Sequence, residues 1–133
     1  MNQSQIDIVM TALTLWRECR GELEAVKVGV ACVIRNRVRA HWRNKHTYQD
    51  VVTDPWQFSG LTAPGDVNLH KWPTSRDGAW EVCLLVAENV VTDRIEDVTG
   101  GATYYHDVSL PGAPEAWGAV HEVARLGRII FYR

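Results

Sequence analysis

Apolar residues recur every three or four positions in three stretches of the chain, and this period predicts three long helices. The first follows Ser4-x-x-Asp7, which is similar to a capping box. We expect this helix to end at about Arg20, because Gly21 can adopt the positive φ that terminates many helices. Its apolar stripe comprises Ile6, Val9, Met10, Leu13 and Trp16. Such a stripe predicts a helix with one buried face.

The second predicted helix extends from about Leu23 to Ala40 and has the widest apolar stripe, which indicates a central, buried position. A short helix capped by Thr47 and a third long helix, opened by Thr74-x-x-Asp77, follow it. The stripe of the second helix comprises Val26, Val28, Val30, Cys32, Val33, Ile34 and Arg37, and that of the third comprises Trp80, Cys83, Leu84, Ala87 and Val90.

The C-terminal part of the chain changes to a pattern of short strands. Residues 102–106 predict one strand, and the residues on either side of Gly127 predict a terminal hairpin. No linker or internal repeat divides the sequence. We therefore expect residues 1–133 to form a single domain of the α+β class, mainly helical, with a small β-sheet or hairpin near the C-terminus.

Composition limits the classes of function. The net charge of −2 argues against a nucleic-acid partner, although a helical DNA-binding regulator would account for the basic cluster of Arg35, Arg37, Arg39 and Arg43. No apolar run reaches the roughly 20 residues of a membrane span, so we expect no stable membrane insertion. The widely spaced cysteines lack zinc-site spacing, so we expect buried free thiols, no metal and no cofactor.

The stretch with the clearest chemistry is Trp16-Arg17-Glu18-Cys19-Arg20-Gly21-Glu22, at the end of the first predicted helix. A glutamate in the last turn of a helix is held on a rigid element and can face a cleft. Apolar neighbours would raise the pKa of Glu18, as a general acid near neutral pH requires. The alternative is a solvated helix end with arginine–glutamate pairs. This stretch alone leaves both interpretations open.

Five stretches together carry a family pattern. They are residues 16–22, Val30-Ala31-Cys32-Val33-Ile34-Arg35-Asn36-Arg37-Val38, Gln57-Phe58-Ser59, Gly100-Gly101-Ala102-Thr103-Tyr104-Tyr105-His106 and Phe131-Tyr132-Arg133. In this order they resemble the cell wall hydrolases related to the spore cortex-lytic enzyme SleB. The resemblance implies a lysozyme-like fold and cleavage of the glycan strands of peptidoglycan. Glu18 matches the family's catalytic glutamate, with Cys19 in place of the usual alanine.

The reaction implied by the resemblance is that of a lytic transglycosylase, which needs one carboxyl group. Glu18 would protonate the glycosidic oxygen and then accept the proton of the sugar's C6 hydroxyl, leaving 1,6-anhydromuramoyl ends. Muramidase-type hydrolysis with the same glutamate would normally need a second carboxylate roughly 5–9.5 Å away. The candidates for it are Glu22, Asp54, Asp66 and Asp107.

The resemblance also suggests residues that bind substrate. Gln57 and Ser59 lie where the lysozyme superfamily places polar groups of the cleft, and we expect them to bind N-acetyl or hydroxyl groups. Tyr104 and Tyr105 alternate along a strand, so one should face the cleft and the other the core. His106 is a candidate for substrate contact, with a surface histidine as the alternative.

Two further features have competing interpretations. Glu22 is a candidate substrate-binding residue, but its position near Arg20 and Arg37 favours an ion pair. Four tryptophans lie in loop-like or polar surroundings and would serve either as carbohydrate platforms or in simple packing. They are Trp42, Trp56, Trp72 and Trp117.

The N-terminus lacks the basic segment and apolar core of a signal peptide. We therefore expect synthesis in the host cytoplasm and action on the cell wall in the periplasm after the membrane is permeabilised, with a holin as the partner that releases the protein. These features suit a phage or prophage endolysin. A non-catalytic module that binds peptidoglycan or serves in phage assembly is the alternative from another class.

Overall fold

The computed structural model describes residues 1–55 and 57–133, so Trp56 lies outside the described residues. Within them, five α-helices precede a three-stranded sheet, which confirms the predicted, mainly helical α+β class. The helices are α1 (Gln3–Cys19), α2 (Glu24–Arg39), α3 (Tyr48–Val52), α4 (Ser59–Thr62) and α5 (Gly78–Val91), and the strands are β1 (Tyr104–Asp107), β2 (Glu122–Leu126) and β3 (Ile129–Tyr132). Short 3₁₀ turns lie at Trp42–Asn44, Val67–His70 and Glu115–Trp117.

Two helices begin at caps that differ from the predicted ones. α1 is capped by Asn2, not Ser4: the Asn2 side chain accepts from the Gln5 backbone N–H at 2.9 Å, and the Gln5 side chain accepts from the Asn2 N–H. α5 is capped by Asp77, not Thr74, because the Asp77 carboxylate accepts from two N–H groups of the first turn. Each start offers several capping residue types within one turn, and apolar periodicity does not choose among them.

The end of α1 also differs from the prediction. Arg20 at the C-cap is right-handed, and the chain leaves the helix through a turn in which the Glu22 N–H donates to the Cys19 carbonyl at 3.0 Å. Gly21 is absent from the residues with positive φ, and a Cβ built there would meet no atom within 4 Å. The expected role of Gly21 as a left-handed helix stop is therefore wrong.

α2 lies at the centre of the helical part, as predicted, and packs against both α1 and α5. A second apolar cluster holds α3, which Thr47 caps as predicted, against α2. Phe58, only 1% exposed, belongs to this cluster and anchors the start of α4. The backbone that follows Phe58 is thereby held next to α1.

The sheet has the order β1-β3-β2, and both pairings are antiparallel. The predicted hairpin is confirmed: β2 and β3 meet at Gly127, whose φ of 54° suits glycine. The predicted strand at 102–106 is shifted and begins at Tyr104. α2 approaches β3 closely at Gly29, where a Cβ would lie 2.6 Å from the Phe131 ring. The sheet therefore packs directly on the central helix.

The arginines of the basic cluster do not form an exposed cationic surface. Arg35 and Arg37 are 2% and 4% exposed, and Arg39 and Arg43 are paired with aspartates. The feature that suggested a DNA-binding regulator is thus part of the folded core and its ion pairs. Separately, no helix in the described part of the chain combines the length and apolar character that crossing a membrane requires.

Candidate active site

Glu18 lies in the last turn of α1 and is half-buried. Its Oε1 atom accepts a hydrogen bond of 2.9 Å from the backbone N–H of Gly60 in α4. A Cβ built at position 60 would lie 3.0 Å from Arg17 Cβ and 3.3 Å from Glu18 Oε1. Glycine therefore allows the α4 backbone to approach a carboxyl group that is 42 positions away in the sequence.

A second carboxylate, that of Asp66, is close enough to Glu18 for its charge to act on it. Asp66 accepts hydrogen bonds from Ser59 Oγ at 2.6 Å and from the Asn68 backbone N–H at 2.7 Å. These bonds hold the pKa of Asp66 below its usual range, the Ser59 bond most strongly. The Asn68 side chain in turn accepts from the Arg20 guanidinium at 2.9 Å. The segment after Phe58 is thus tied to α1 beside Glu18.

Three effects act on the pKa of Glu18. Burial is the largest and raises it, the hydrogen bond from the Gly60 N–H lowers it, and the negative charge of Asp66 raises it. The net shift of the Glu18 pKa is upward, in the direction predicted for a general acid. Burial costs the carboxylate more stabilisation by water than the single hydrogen bond from Gly60 restores. Glu18 is therefore not the fully solvated helix end of the alternative interpretation.

Tyr104 and Tyr105 project to opposite faces of β1, as predicted. Tyr105 packs on Phe131, with ring centroids 6.1 Å apart, and faces the helical core. Burial raises the pKa of Tyr105 and the charge of Glu18 raises it further, so these two side chains are within electrostatic reach. Tyr104 stacks on Trp117 at 4.8 Å. Tyr105 is thus the tyrosine placed near Glu18, while contact of either ring with a sugar stays a prediction.

His106 is not the surface residue of the alternative interpretation, because it is only 6% exposed. Its Nδ1 atom lies 2.7 Å from the Asp107 carbonyl oxygen and its Nε2 atom lies 2.8 Å from the Tyr132 hydroxyl. A carbonyl only accepts, so Nδ1 donates to it, and Nε2 forms a hydrogen bond with the Tyr132 hydroxyl. Both ring nitrogens are therefore used within the protein, on the face of the sheet opposite Tyr105. Nothing in this arrangement supports the predicted substrate contact of His106.

The predicted ion pair of Glu22 with Arg20 or Arg37 is wrong. No ion pair of Glu22 is found among the residues that the structure describes. Arg20 reaches back to the carbonyls of its own helix and to Asn68, and Arg37 donates to a carbonyl before β1. The Glu22 backbone carbonyl accepts from Lys27 Nζ at 2.6 Å. Substrate binding by the Glu22 carboxylate stays a prediction.

Gln57 and Ser59 flank the buried Phe58, with Gln57 half-buried and Ser59 exposed. Both lie within three residues of Gly60, and Ser59 holds Asp66 through its hydroxyl. The structure thus brings both predicted polar residues to the segment beside Glu18. Their binding of N-acetyl or hydroxyl groups stays a prediction.

Two other candidates for a second carboxylate, Asp54 and Asp107, take part in ion pairs. Asp54 pairs with Arg43 at 2.9 Å. Asp107 pairs with Arg128 at 3.0 Å, and this partner holds the pKa of Asp107 at about 2. Of the carboxylates in the described part of the chain, Asp66 is the one whose charge acts on Glu18.

The predicted loop tryptophans differ in exposure. Trp72 is 69% exposed, with one face over the Arg17 guanidinium at 4.5 Å. Trp42 and Trp117 are half-buried, and Trp42 lies 4.0 Å from the Arg37 guanidinium. Trp72 therefore has the open ring that a carbohydrate platform needs, while the other two rings are largely engaged in packing.

The sequence did not indicate the roles of Arg17, Gly60 and Asn68. Their partners lie more than 40 positions away, and no local period marks such contacts. The one usable signal was the glycine directly after Gln57-Phe58-Ser59, since glycine often marks a close backbone approach.

One surface cavity of about 450 Å³ has Arg133 in its lining, and another of about 290 Å³ has Trp72 in its lining. Glu18 lines neither of them. The cysteines are free and buried, as predicted. In residues 1–55 and 57–133, no group of three or more His, Cys, Asp or Glu side chains is arranged to hold a metal ion.

A family model described as Cell Wall Hydrolase matches residues 21–132. The chain belongs to the cell wall hydrolase family. Glu18 lies just before the matched range, so its assignment depends on the geometry above. Within this family, the chain is similar to the spore cortex-lytic enzyme of Halalkalibacterium halodurans, at 30% identity over 96% of the chain. The chain spans only 35% of the length of that relative.

Two solved structures are similar to this member of the family over its whole length. One is the catalytic domain of the Bacillus cereus SleB protein, with a TM-score of 0.74, 27% identity and coverage of 99% of this chain and 93% of the other. The second is the catalytic domain of the germination-specific lytic transglycosylase SleB from Bacillus anthracis, with a TM-score of 0.69, 27% identity and coverage of 100% and 97%. Both matches include the region of Glu18 and Gly60.

Proposed function

We propose that this chain cleaves the glycan strands of peptidoglycan as a lytic transglycosylase, with Glu18 as the single acid and base. The observation that carries the proposal is the environment of Glu18. Its carboxyl group is half-buried, has a raised pKa, and is oriented by one backbone N–H at 2.9 Å. Membership of the cell wall hydrolase family and the similarity to a lytic transglycosylase domain support the choice of substrate and reaction.

The chemistry follows from one proton. Protonated Glu18 donates to the glycosidic oxygen, the bond from C1 to that oxygen breaks, and the leaving sugar keeps the electron pair and the proton. The carboxylate then accepts the proton of the C6 hydroxyl as its oxygen attacks C1. A 1,6-anhydro ring forms, Glu18 is protonated again, and no water is consumed. A raised pKa suits the first step, because the acid must hold its proton near neutral pH.

Muramidase-type hydrolysis is the second candidate, and the position of Asp66 favours it. Asp66 is fixed by Ser59 and Asn68, and its lowered pKa keeps it ionised, as a base that activates water must be. The two reactions differ in their products, because hydrolysis adds one water and leaves a reducing end. The same fold without activity would serve a non-catalytic module, which the substitution of Glu18 also tests.

The decisive experiment digests purified cell walls and determines the masses of the released fragments. We expect anhydro ends from the wild-type protein and a loss of about 10²–10⁴-fold in rate for Glu18→Gln, whose amide keeps the shape but cannot donate and recover the proton. Glu88→Gln, an exposed glutamate on α5, is the matched control. Reducing ends would select hydrolysis, and near wild-type activity of Glu18→Gln would remove Glu18 from the mechanism.

The circumstances of action stay predictions. Peptidoglycan in the cell wall is the proposed partner of Glu18 and its surrounding segment. Release by a holin and a phage or prophage origin are not supported by any contact described above.

A further inference from the structure

Arg17, the neighbour of the proposed acid, is nearly completely buried at 5% exposure. Its Nη1 atom donates to the Gly60 carbonyl at 3.1 Å and its Nε atom donates to the Lys71 carbonyl at 3.1 Å. The guanidinium also lies under the Trp72 ring at 4.5 Å. One side chain of α1 thus binds the start of α4 and also Lys71, the residue that follows the 3₁₀ turn at Val67–His70.

Arg17 and Glu18 bind the two backbone polar groups of the same residue, Gly60. Arg17 binds the carbonyl of Gly60, and Glu18 Oε1 binds the N–H of Gly60 at 2.9 Å. Because both side chains come from adjacent positions of one rigid helix, Gly60 cannot shift along α1 without lengthening one of these bonds. Oε1 accepts this bond, which leaves Oε2 as the oxygen that can carry the acidic proton.

An ion pair does not explain why a charged residue is buried here. In the part of the chain that the structure describes, no carboxylate pairs with Arg17, and its Nη2 atom is buried without a hydrogen-bond partner. Burying an unpaired cation is costly, and an apolar side chain of similar volume would fill the same space. What an apolar side chain cannot supply is the pair of directed N–H donors to Gly60 and Lys71.

We infer that Arg17 is a positioning residue for catalysis: by holding the Gly60 carbonyl, it fixes the N–H group that orients the Glu18 carboxyl group. The inference rests on the proposed role of Glu18 as the acid. It assigns to Arg17 no contact with substrate. Loss of the positioning would displace the carboxyl group from the bond that it protonates and would weaken a hydrogen bond that favours its charged form.

The pH dependence of activity separates positioning from simple stability. The charged or titratable groups that act on Glu18 or feel its charge are Asp66 from the segment after α4, Tyr105 from β1 and Cys19 from α1. Changes at Arg17 leave these groups in place. The hydrogen bond from the Gly60 N–H lowers the pKa of Glu18. Weakening this bond should therefore move the alkaline limb of the pH profile to higher pH, because Glu18 then stays protonated up to a higher pH.

The test compares Arg17→Lys and Arg17→Met with wild type, measuring kcat and KM on solubilised glycan strands across pH, with folding followed by near-UV circular dichroism. Lysine keeps the charge but cannot reach both carbonyls with a rigid fork. Methionine fills the volume without burying a charge, so it keeps the test decisive if the lysine variant does not fold. For the folded variants we expect kcat to fall by about 10- to 100-fold with little change in KM, and the alkaline limb to move to higher pH.

Two controls interpret the outcome. Arg35→Lys makes the same substitution at a buried arginine that binds the carbonyls of Val90 and Ile95 and not that of Gly60, and it reports the effect of losing such a guanidinium on stability. Glu18→Gln in the same assay tests the proposed function itself. A folded Arg17→Met protein with wild-type kcat and pH profile would overturn the inference while leaving Glu18 as the acid. An active Glu18→Gln would instead overturn the function on which the inference rests.

Discussion

Gly60→Ala probes the contact between α4 and the proposed acid with the addition of one methyl group. The new Cβ would lie 3.0 Å from Arg17 Cβ, 3.3 Å from Glu18 Oε1 and 3.6 Å from Asn68 Cβ. Arg17 Cβ is attached directly to the α1 backbone and cannot rotate away. The conflict must therefore be relieved by movement of the α4 backbone or of the Glu18 side chain.

The size of the effect follows from these distances. Relieving a contact of 3.0 Å requires a shift of a few tenths of an ångström, which takes the 2.9 Å bond between Gly60 N and Glu18 Oε1 to or beyond roughly 3.2 Å, the long end of ordinary N–H···O bonds. Overpacking of this kind costs about 1–3 kcal/mol of stability. Displacement of the acid should lower kcat by about 10- to 100-fold. The loss of activity should therefore exceed what the unfolded fraction explains.

The assay is the rate of release of soluble fragments from purified cell walls, corrected for the folded fraction measured by thermal unfolding. Gly65→Ala is the matched control, because it makes the same substitution in the same segment where a Cβ would meet nothing within 4 Å. Wild-type kcat in a folded Gly60→Ala protein would refute the reasoning, since the glycine would then not be needed for the approach to Glu18. Equal losses in both variants would refute it as well.

Four further predictions follow from the structure. Asp66→Asn removes a negative charge that raises the pKa of Glu18, so the alkaline limb of the pH profile should move to lower pH; an unmoved limb would show that Asp66 does not act on the acid. Gly21→Ala should leave activity and thermal stability unchanged within error, because the position is exposed and needs no positive φ. Asn2→Ala should reduce the free energy of unfolding by about 1 kcal/mol through loss of the α1 cap, without altering kcat, as denaturant titration will report. Activity should survive treatment with EDTA, and loss that one defined metal ion restores would contradict this expectation.

Local sequence pattern predicts α1, α2, α3 and α5, misses the short helix α4, and leaves the role of Glu18 open. The period of apolar residues gave the buried faces of α2 and α5. On α1 it gave Leu13 and Trp16 but was wrong at Val9, which is exposed. The position of Glu18 in the last turn of α1 made it a candidate, and its catalytic role stays a prediction. The errors arose where several residues of one type compete within a turn, as with Asn2 and Ser4 at the start of α1. A period of 3.6 residues defines the face of a helix and leaves its first residue undetermined within about one turn.

The environment of the acid could not be predicted in this way, because it is made by contacts between distant positions. Three contacts depend on how the chain between α3 and α5 folds back onto α1. They are the bond from the Gly60 N–H to Glu18, the bond from Arg17 to the Gly60 carbonyl, and the approach of the Asp66 charge. The burial of His106 likewise depends on Tyr132, which is 26 positions away. No periodic pattern in either segment specifies these contacts.

The segment that folds back onto α1 carries two opposing influences on the same carboxyl group. The Gly60 N–H lowers the pKa of Glu18, and Asp66, six residues later, raises it; burial by the surrounding side chains is larger than either. The strength of the proposed acid is therefore a balance that one short segment can change without altering α1 or Glu18 itself. Because Ser59 and the Asn68 N–H keep Asp66 ionised, this balance holds through the neutral range of pH. Members of the family that keep the glutamate but differ between positions 59 and 68 should accordingly differ in the pH at which the alkaline limb of activity falls, and exchanging this segment between two members should transfer that limb with it.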